Sequence, residues 1–252
     1  MSDPYPDVVA RFYDAVYARV RDGVDNDYYL GKMAGASGPV LEVGVGTGRL
    51  FCEARRRGTD VWGIDLSPAM IERLRSKLPP EDHARVWVDE AVTMRTDRRF
   101  TLALAPFRVL SHVPAVEDQI RLLDNLHDHL LPGGTLIFDL YVPSLRLLLD
   151  GLDEHLDFDG EHAPGQRLRR YLTARSDLVR QVTSARMTFV WDEAGEEKRA
   201  DWEFEMRFFF RWEIEHLVAR SKMCLVAMHG DFAEGPLDES SREFVVVCRR
   251  DG

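Results

Sequence analysis

Cysteine is scarce in this 252-residue chain, and Cys52, Cys224 and Cys248 stand far apart with no CxxC pair among them. An odd, dispersed set gives neither a disulfide framework nor the ligand spacing of a zinc site, so reduced thiols in a cytoplasmic protein are expected, and no metal. Basic residues are in deficit too: 33 Lys and Arg face 43 Asp and Glu, for a formal charge of -10. A field of that sign repels a phosphate backbone and argues against a nucleic-acid partner. No apolar run approaches the ~18 residues that span a bilayer. Even Thr135 to Leu149 is broken by Asp139 and Arg146. Acids fill the N-terminus, Met1 to Asp7, where a targeting peptide has a basic start, so neither a leader nor a membrane partner is expected. What is present, 45% hydrophobic and 30% charged residues, suits a globular chain that buries a real core as one large domain.

Apolar runs and glycines set a rhythm along the first half. Val40 to Val43 leads into a glycine cluster and then a charged helical stretch through Arg57: strand, tight loop, helix. Asp60 to Ile64 repeats the strand, ending at Asp65, and Ser67-Pro68 caps a helix over Ala69 to Leu78. Arg85 to Val88 and Phe100 to Ala105 read as further strands, Val116 to Leu131 as a helix stopped by Pro132-Gly133-Gly134, and Thr135 to Tyr141 as a fifth strand. Alternating strands and helices predict a parallel sheet with helices on both faces. After a short helix over Ser144 to Leu149, Gly151 to Gly165 reads as a connection rich in Gly, Asp and His. Arg167 to Thr173, Leu178 to Trp191 and Lys198 to Phe210 then read as long strands, the last two joined by a turn over Asp192 to Glu196. A helix over Trp212 to Arg220 and two antiparallel strands, Met223 to Met228 and Phe244 to Cys248, finish the chain.

Chemistry concentrates in Val40-Leu-Glu-Val-Gly-Val-Gly-Thr-Gly-Arg49. A dinucleotide fingerprint places its third glycine three positions after the second, where this chain has Arg49, so the spacing argues against NAD. No Lys-Ser/Thr pair follows, so the loop is not a phosphate-gripping P-loop. Glycines between a strand and a helix still let backbone approach a ligand closely, and Asp65, at the carboxyl end of the next strand, can accept hydrogen bonds from vicinal hydroxyls.

Glu42-Val-Gly-Val-Gly-Thr-Gly48, Gly63-Ile-Asp-Leu-Ser67 and Leu131-Pro-Gly-Gly-Thr-Leu136 resemble the successive motifs of class I S-adenosylmethionine-dependent methyltransferases. The likeness covers about Tyr13 to Tyr141 and resumes from Phe208. It implies a Rossmann-like α/β fold: a seven-stranded mixed sheet with an antiparallel β insertion after the fifth strand. The single domain 1–252 would comprise a helical cap (1–35), a cofactor-binding core (36–150), the insertion (151–210) and the end of the sheet (211–252). It further implies S-adenosylmethionine as cofactor, its amino-acid part wrapped by Gly44, Gly46 and Gly48 with Glu42 supporting the loop or the ammonium. Asp65 would hold the ribose, Leu66 and Met70 flank the adenine, and Asp89 or Glu90 meet its amino group. The run Asp89-Glu90-Ala91 departs from the family's usual Asp and small residue and leaves that register open by one position. Ala105 and Phe107 after the fourth strand, and Tyr17 and Tyr28 of the cap, complete the implied cofactor contacts.

Methyl transfer from a sulfonium is an in-line displacement, so the protein must chiefly position the nucleophile, exclude water and accept a proton where one is released. His112 and Tyr13 are the leading catalytic candidates; Tyr141, His229, Arg169 and Arg170 are candidate acceptor contacts. The six arginines at 167, 169, 170, 175, 180 and 186 could greet an anionic acceptor, but a sheet with one wet face or a dimer contact is the favoured reading. Tyr5 to Leu30 reads as a helical lid whose removal would spare the sheet core. The acceptor expected is an N or O atom of a small metabolite, in the manner of amino-sugar N,N-dimethyltransferases or glycine N-methyltransferase-like enzymes. Ala105-Pro-Phe-Arg108 stands where enzymes acting on nucleic-acid bases and protein glutamines carry a Pro-Pro signature, which demotes those substrates; a silent scaffold of the same fold is the other rival.

Overall fold

The computed structural model describes residues 5–20 and 23–251. Positions 1–4, 21, 22 and 252, which include most of the acidic N-terminal stretch and two inner residues of the cap, lie outside the described residues. Strand β1 (Val40–Val43) is buried along its whole length, as a central parallel strand must be when helices cover both of its faces. It lies between β2 (Val61–Asp65) and β4 (Phe100–Ala105), with β3 (Val86–Val88) beyond β2. On the other side come β5 (Leu130–Tyr141), β11 (Glu243–Arg249) and β10 (Cys224–His229), giving a seven-stranded sheet in the order β10-β11-β5-β4-β1-β2-β3. Strands β1 to β5 run parallel; β11 is antiparallel to both β5 and β10. The chain leaves β1 toward β2 on one side and returns as β4 on the other. That reversal opens a crevice at the carboxyl ends of the strands, where open α/β sheets take their ligands.

Helix α3 (Arg49–Arg56) follows the glycine loop, and α4 (Pro68–Arg75) starts as its sequence directs, Ser67 Oγ accepting from Met70 N–H. Helix α5 (Val116–His129) ends two residues earlier than Pro132 would require. The Pro-Gly-Gly segment belongs instead to β5, because Gly133 N–H donates to Arg250 O (3.0 Å) and Arg250 N–H to Gly134 O (2.9 Å), extending the ladder with β11. Helix α6 (Leu145–Asp150) is capped by Ser144, and α7 (Arg211–Arg220) precedes β10.

The insertion is a four-stranded antiparallel sheet, β6 (Leu152–Ala163), β7 (Gln166–Asp177), β8 (Val182–Glu193) and β9 (Glu196–Arg207). The stretch expected as a connection is strand β6. Its acids and His155 conceal it because β6 is an edge strand with most of its length in water, and only Phe158 is buried. The opposite error occurs at Leu178-Val-Arg180, read as strand: Asp177 Oδ1 accepts from the N–H groups of Val179 and Arg180, folding a turn that leaves Val179 95% exposed. Ala194 and Gly195 both have positive φ, 53° and 82°, the two-residue turn that matches the twist of the strands it joins.

Three apolar clusters hold these layers. One lies between the main sheet, α5 and α7; a second packs α3, α4 and helix α2 (Asn26–Ala34) on the other face. The third is separate from both: Phe12 and Val16 of helix α1 (Asp7–Val20) meet Phe158, Leu168, Phe189 and Trp202 of the insertion. Helix α1 thus closes the inner face of the insertion and bridges it to the core, where Met70 of α4 joins the same cluster. Among the described residues no helix is long and apolar enough to cross a membrane.

Candidate active site

The loop after β1 is shaped by β2. Ile64 O accepts from both Gly44 N–H (2.8 Å) and Val45 N–H (2.9 Å), turning the chain back at the strand edge. Gly44 has φ 71°, and a Cβ there would meet Val109 Cγ2 at 2.6 Å. Gly46 has φ 55° and faces open space, so a side chain would project into the crevice. Both conditions admit only glycine comfortably. Asp65 then ties the loop down: Oδ2 accepts from Gly46 N–H (2.8 Å) and Oδ1 from Ser67 N–H (2.9 Å). From above, α1 clasps the same loop, since Thr47 Oγ1 donates to Asp14 (2.6 Å) while Lys77 pairs with Asp14 (2.6 Å) and donates to Thr47 O (2.8 Å).

Beneath this clasp lies a cavity of about 260 Å³ lined by Glu42, Gly44, Gly46, Asp65, Leu66 and Met70, and further round by Asp89, Glu90, Ala91, Phe107 and His112. Sequence positions spread over four strand ends are therefore brought to one wall. Asp89 and Glu90 both reach it; Asp89 already accepts from Trp87 Nε1 and from Glu90 N–H. Glu42 is buried, and its Oε2 has no hydrogen-bond partner among the described residues. Burial pushes its carboxyl up to about 8, against the pull of Arg49. A carboxyl raised in the fold stabilises it below the unfolded value of 4.5, and that contribution is lost as pH rises through about 8. Glu42→Gln, which never ionises, should therefore gain thermal stability relative to the parent between pH 5 and pH 8.5, by a few kcal/mol, since each tenfold difference in proton affinity between the folded and unfolded chain is worth ~1.4 kcal/mol. Parallel melting curves of the two proteins across that range would show Glu42 to be an ordinary carboxylate.

Behind the first cavity lies a second, of about 600 Å³, between the core sheet and the insertion. Tyr5, Tyr13, Phe107 and His112 line both and form the wall between them. His112 Nε2 is 3.3 Å from the Tyr5 hydroxyl, and burial lowers its imidazole to about 4, so it is neutral near pH 7. Tyr5 packs on Trp202 (4.6 Å between ring centres), which stacks on Phe204 at 4.0 Å. Phe107 owes its place to a backbone turn in which it and Arg108 both have positive φ, 60° and 66°. Such consecutive left-handed residues are costly without glycine, and buried Asp139 supports them. Its Oδ1 accepts from Phe107 N–H (2.7 Å) and from the Tyr29 hydroxyl (2.6 Å).

Tyr17 and Tyr141 line the second cavity, not the first. Tyr28 lies outside both, against Phe232 and under the Lys32 ammonium, and His229 ends β10 away from either. Ala105 is buried in β4, and Gly48 caps α3 beside Leu74, behind the loop. Arg169 and Arg170 are neighbours on a strand and so point to opposite faces. Arg169 pairs with Glu197 on the outer, wet face (2.7 Å); Arg170 is inward but fully engaged, gripped by both Asp157 oxygens (2.9 and 2.8 Å) with Tyr17 against its guanidinium. Neither lines either of these two cavities, and both guanidiniums are committed to carboxylates. Sequence reasoning passed over Tyr5, Tyr29, Asp139 and the Arg108–Glu243 pair. No local spacing marks them, because each acts on a partner roughly a hundred residues or more away.

This strand order, with a glycine loop after β1 and an acid closing β2, defines the class I methyltransferase fold. Within it, residues 40–134 match the methyltransferase domain family. Solved structures share the fold along nearly the whole chain. It is similar to an S-adenosylmethionine-dependent methyltransferase from Clostridium acetobutylicum at 18% identity, covering 97% of this chain and 100% of that one with a TM-score of 0.79. A sugar N-methyltransferase from a Streptoalloteichus species is similar at 18% identity over 95% and 93% of the two chains (TM-score 0.74). A methyltransferase from Streptomyces caelestis reaches 24% identity over 91% and 95% (TM-score 0.70). In sequence, magnesium-protoporphyrin O-methyltransferase of Rhodobacter capsulatus is 43% identical over 47 residues, 19% of this chain. That match spans about a fifth of the curated relative's length (21%).

Proposed function

We propose that this protein transfers a methyl group from S-adenosylmethionine to a nitrogen or oxygen atom of a small molecule. The observation that carries the reading is the shared wall: two cavities, one at the glycine loop and one under the insertion, meet at Tyr5, Tyr13, Phe107 and His112. The residues of the first cavity fit the cofactor, since the unpartnered Oε2 of Glu42 suits an ammonium and Gly46 leaves room for a ligand where a side chain would intrude. When bound, the cofactor supplies an electrophilic methyl group on sulfur. Asp65, which accepts from two backbone amides at the cavity wall, would hold the ribose, Leu66 and Met70 would flank the adenine, and Asp89 or Glu90 would meet its amino group. Phe107 and Tyr13 hold the acceptor in line and keep water out. His112, neutral near pH 7, takes the proton the acceptor releases, directly or through the Tyr5 hydroxyl.

Incubation with S-adenosylmethionine and a broad panel of small amines and alcohols, read by mass spectrometry, tests the reading. Transfer to none of them despite tight S-adenosylhomocysteine binding would favour the silent scaffold. With an acceptor in hand, His112→Asn should lower kcat by ~10² to 10⁴ while cofactor affinity stays within about threefold. A kcat that His112→Asn leaves within about twofold of the parent would remove His112 as the base.

A further inference from the structure

The second cavity is selective in a way the chemistry of methyl transfer does not require. Strands β7 to β9 present alternate residues to it, and opposite pairs across the ladder are Leu172 with Met187 and Met187 with Trp202. Ala174, Ala185 and Phe204 continue the same face, so the insertion offers the cavity an apolar floor. Among the described residues lining it, the cationic side chain is Arg108, and it is engaged by Glu243 (3.3 Å) and lies over Tyr141. A phosphate or carboxylate entering here would bring a negative charge beside Glu243, and the cation it would meet among the described lining residues, Arg108, is already paired with that carboxylate through Nη2. The sheet's other arginines are on its far face or tied to acids. Two aliphatic lining residues also reach solvent: Val24 is 62% exposed and Leu147 of α6 53%. Leu145 and Leu149 on the same helix are exposed as well.

The geometry points to an acceptor without anionic groups and with an extended apolar body, whose reactive atom meets His112 and Phe107 and whose far end leaves between Val24 and Leu147. This rests on the methyl-transfer reading and narrows it. An enclosed cavity for a compact polar metabolite has no use for exposed aliphatic side chains at its mouth, whereas a long apolar chain makes contact there and extends the area it withdraws from water.

Calorimetric titration of the full chain, saturated with S-adenosylhomocysteine, with n-alkylamines from butylamine to decylamine and with the matching alkyl phosphates tests the inference. Each added methylene should tighten binding about fourfold, so that octylamine binds roughly two hundredfold better than butylamine. The phosphates should bind at least about tenfold more weakly than amines of equal length. Leu147→Arg, an exposed substitution that the fold tolerates, should weaken octylamine about tenfold and leave butylamine within about twofold. A flat chain-length series, phosphates binding as well as amines, or an octylamine affinity indifferent to Leu147→Arg would each overturn it. The same series on the unliganded protein keeps the two readings apart: failure to bind S-adenosylhomocysteine counts against the cofactor assignment, and a flat series counts against the apolar acceptor.

Discussion

Asp65→Ala is expected to weaken S-adenosylhomocysteine binding by a factor of about a hundred or more, because one carboxylate does two things. Its oxygens accept from Gly46 N–H and Ser67 N–H, fixing the loop after β1 against the start of α4, and under the proposed function their outward lone pairs hold the ribose. Charge-assisted hydrogen bonds contribute ~1.5 to 3 kcal/mol each, so losing the ribose contacts alone would cost tenfold or more, and a loop released from its anchor adds the work of ordering it again on binding. Asp65→Asn keeps a single acceptor oxygen and should fall between the two. Calorimetry on proteins whose melting curves confirm a folded sheet decides the matter; an Asp65→Ala affinity within threefold of the parent would sink the ribose assignment.

Phe12→Ala should lower stability by ~3 to 5 kcal/mol, the usual cost of emptying a fully buried aromatic site. Phe12 has no exposed surface, and its ring meets His162 (4.6 Å), Trp191 (5.2 Å) and Phe189 (6.1 Å), all on the insertion. For a chain of this size the melting temperature should drop by roughly 6 to 15 °C. Phe12→Leu, which fills most of the space, should lose less than half as much. A drop below about 2 °C for the alanine variant would show that α1 is only laid over the surface. The same packing corrects the expectation that Tyr5 to Leu30 is a lid whose removal spares the core. Tyr29 and Met33 of α2 are buried in the second apolar cluster, Tyr29 holds Asp139, and α1 is half of the third cluster.

The parts legible in the sequence were those set by local rules. Glycine spacing, the acid after β2 and the Ser-Pro start of α4 each impose their geometry within a few residues, and the wall of the first cavity followed from them. What escaped was written either in context or at a distance. Strand β6 has the composition of a loop because water covers most of it, and the apolar Leu178-Val179 sits on a tight turn instead of inside a strand. Phe107 and Arg108 adopt left-handed backbone only because Asp139 and Tyr29, far apart in the chain, converge behind them. One signal was available and unused: adjacent arginines on a strand face opposite ways, which alone divides Arg169 from Arg170.

The seating of α1 on the insertion has a bearing on how the proposed activity could change its acceptor. The floor of the second cavity and the helix that packs beside it on the same face of the insertion come from two stretches separated by strands β1 to β5. A larger side chain at Met187 or Trp202 alters a surface whose shape α1 also sets, through Phe12 and Val16. Under the proposed function, acceptor choice would therefore be inherited in two instalments, and a graft of β6 to β9 without α1 would strip the apolar inner face of the packing that Phe12 and Val16 supply.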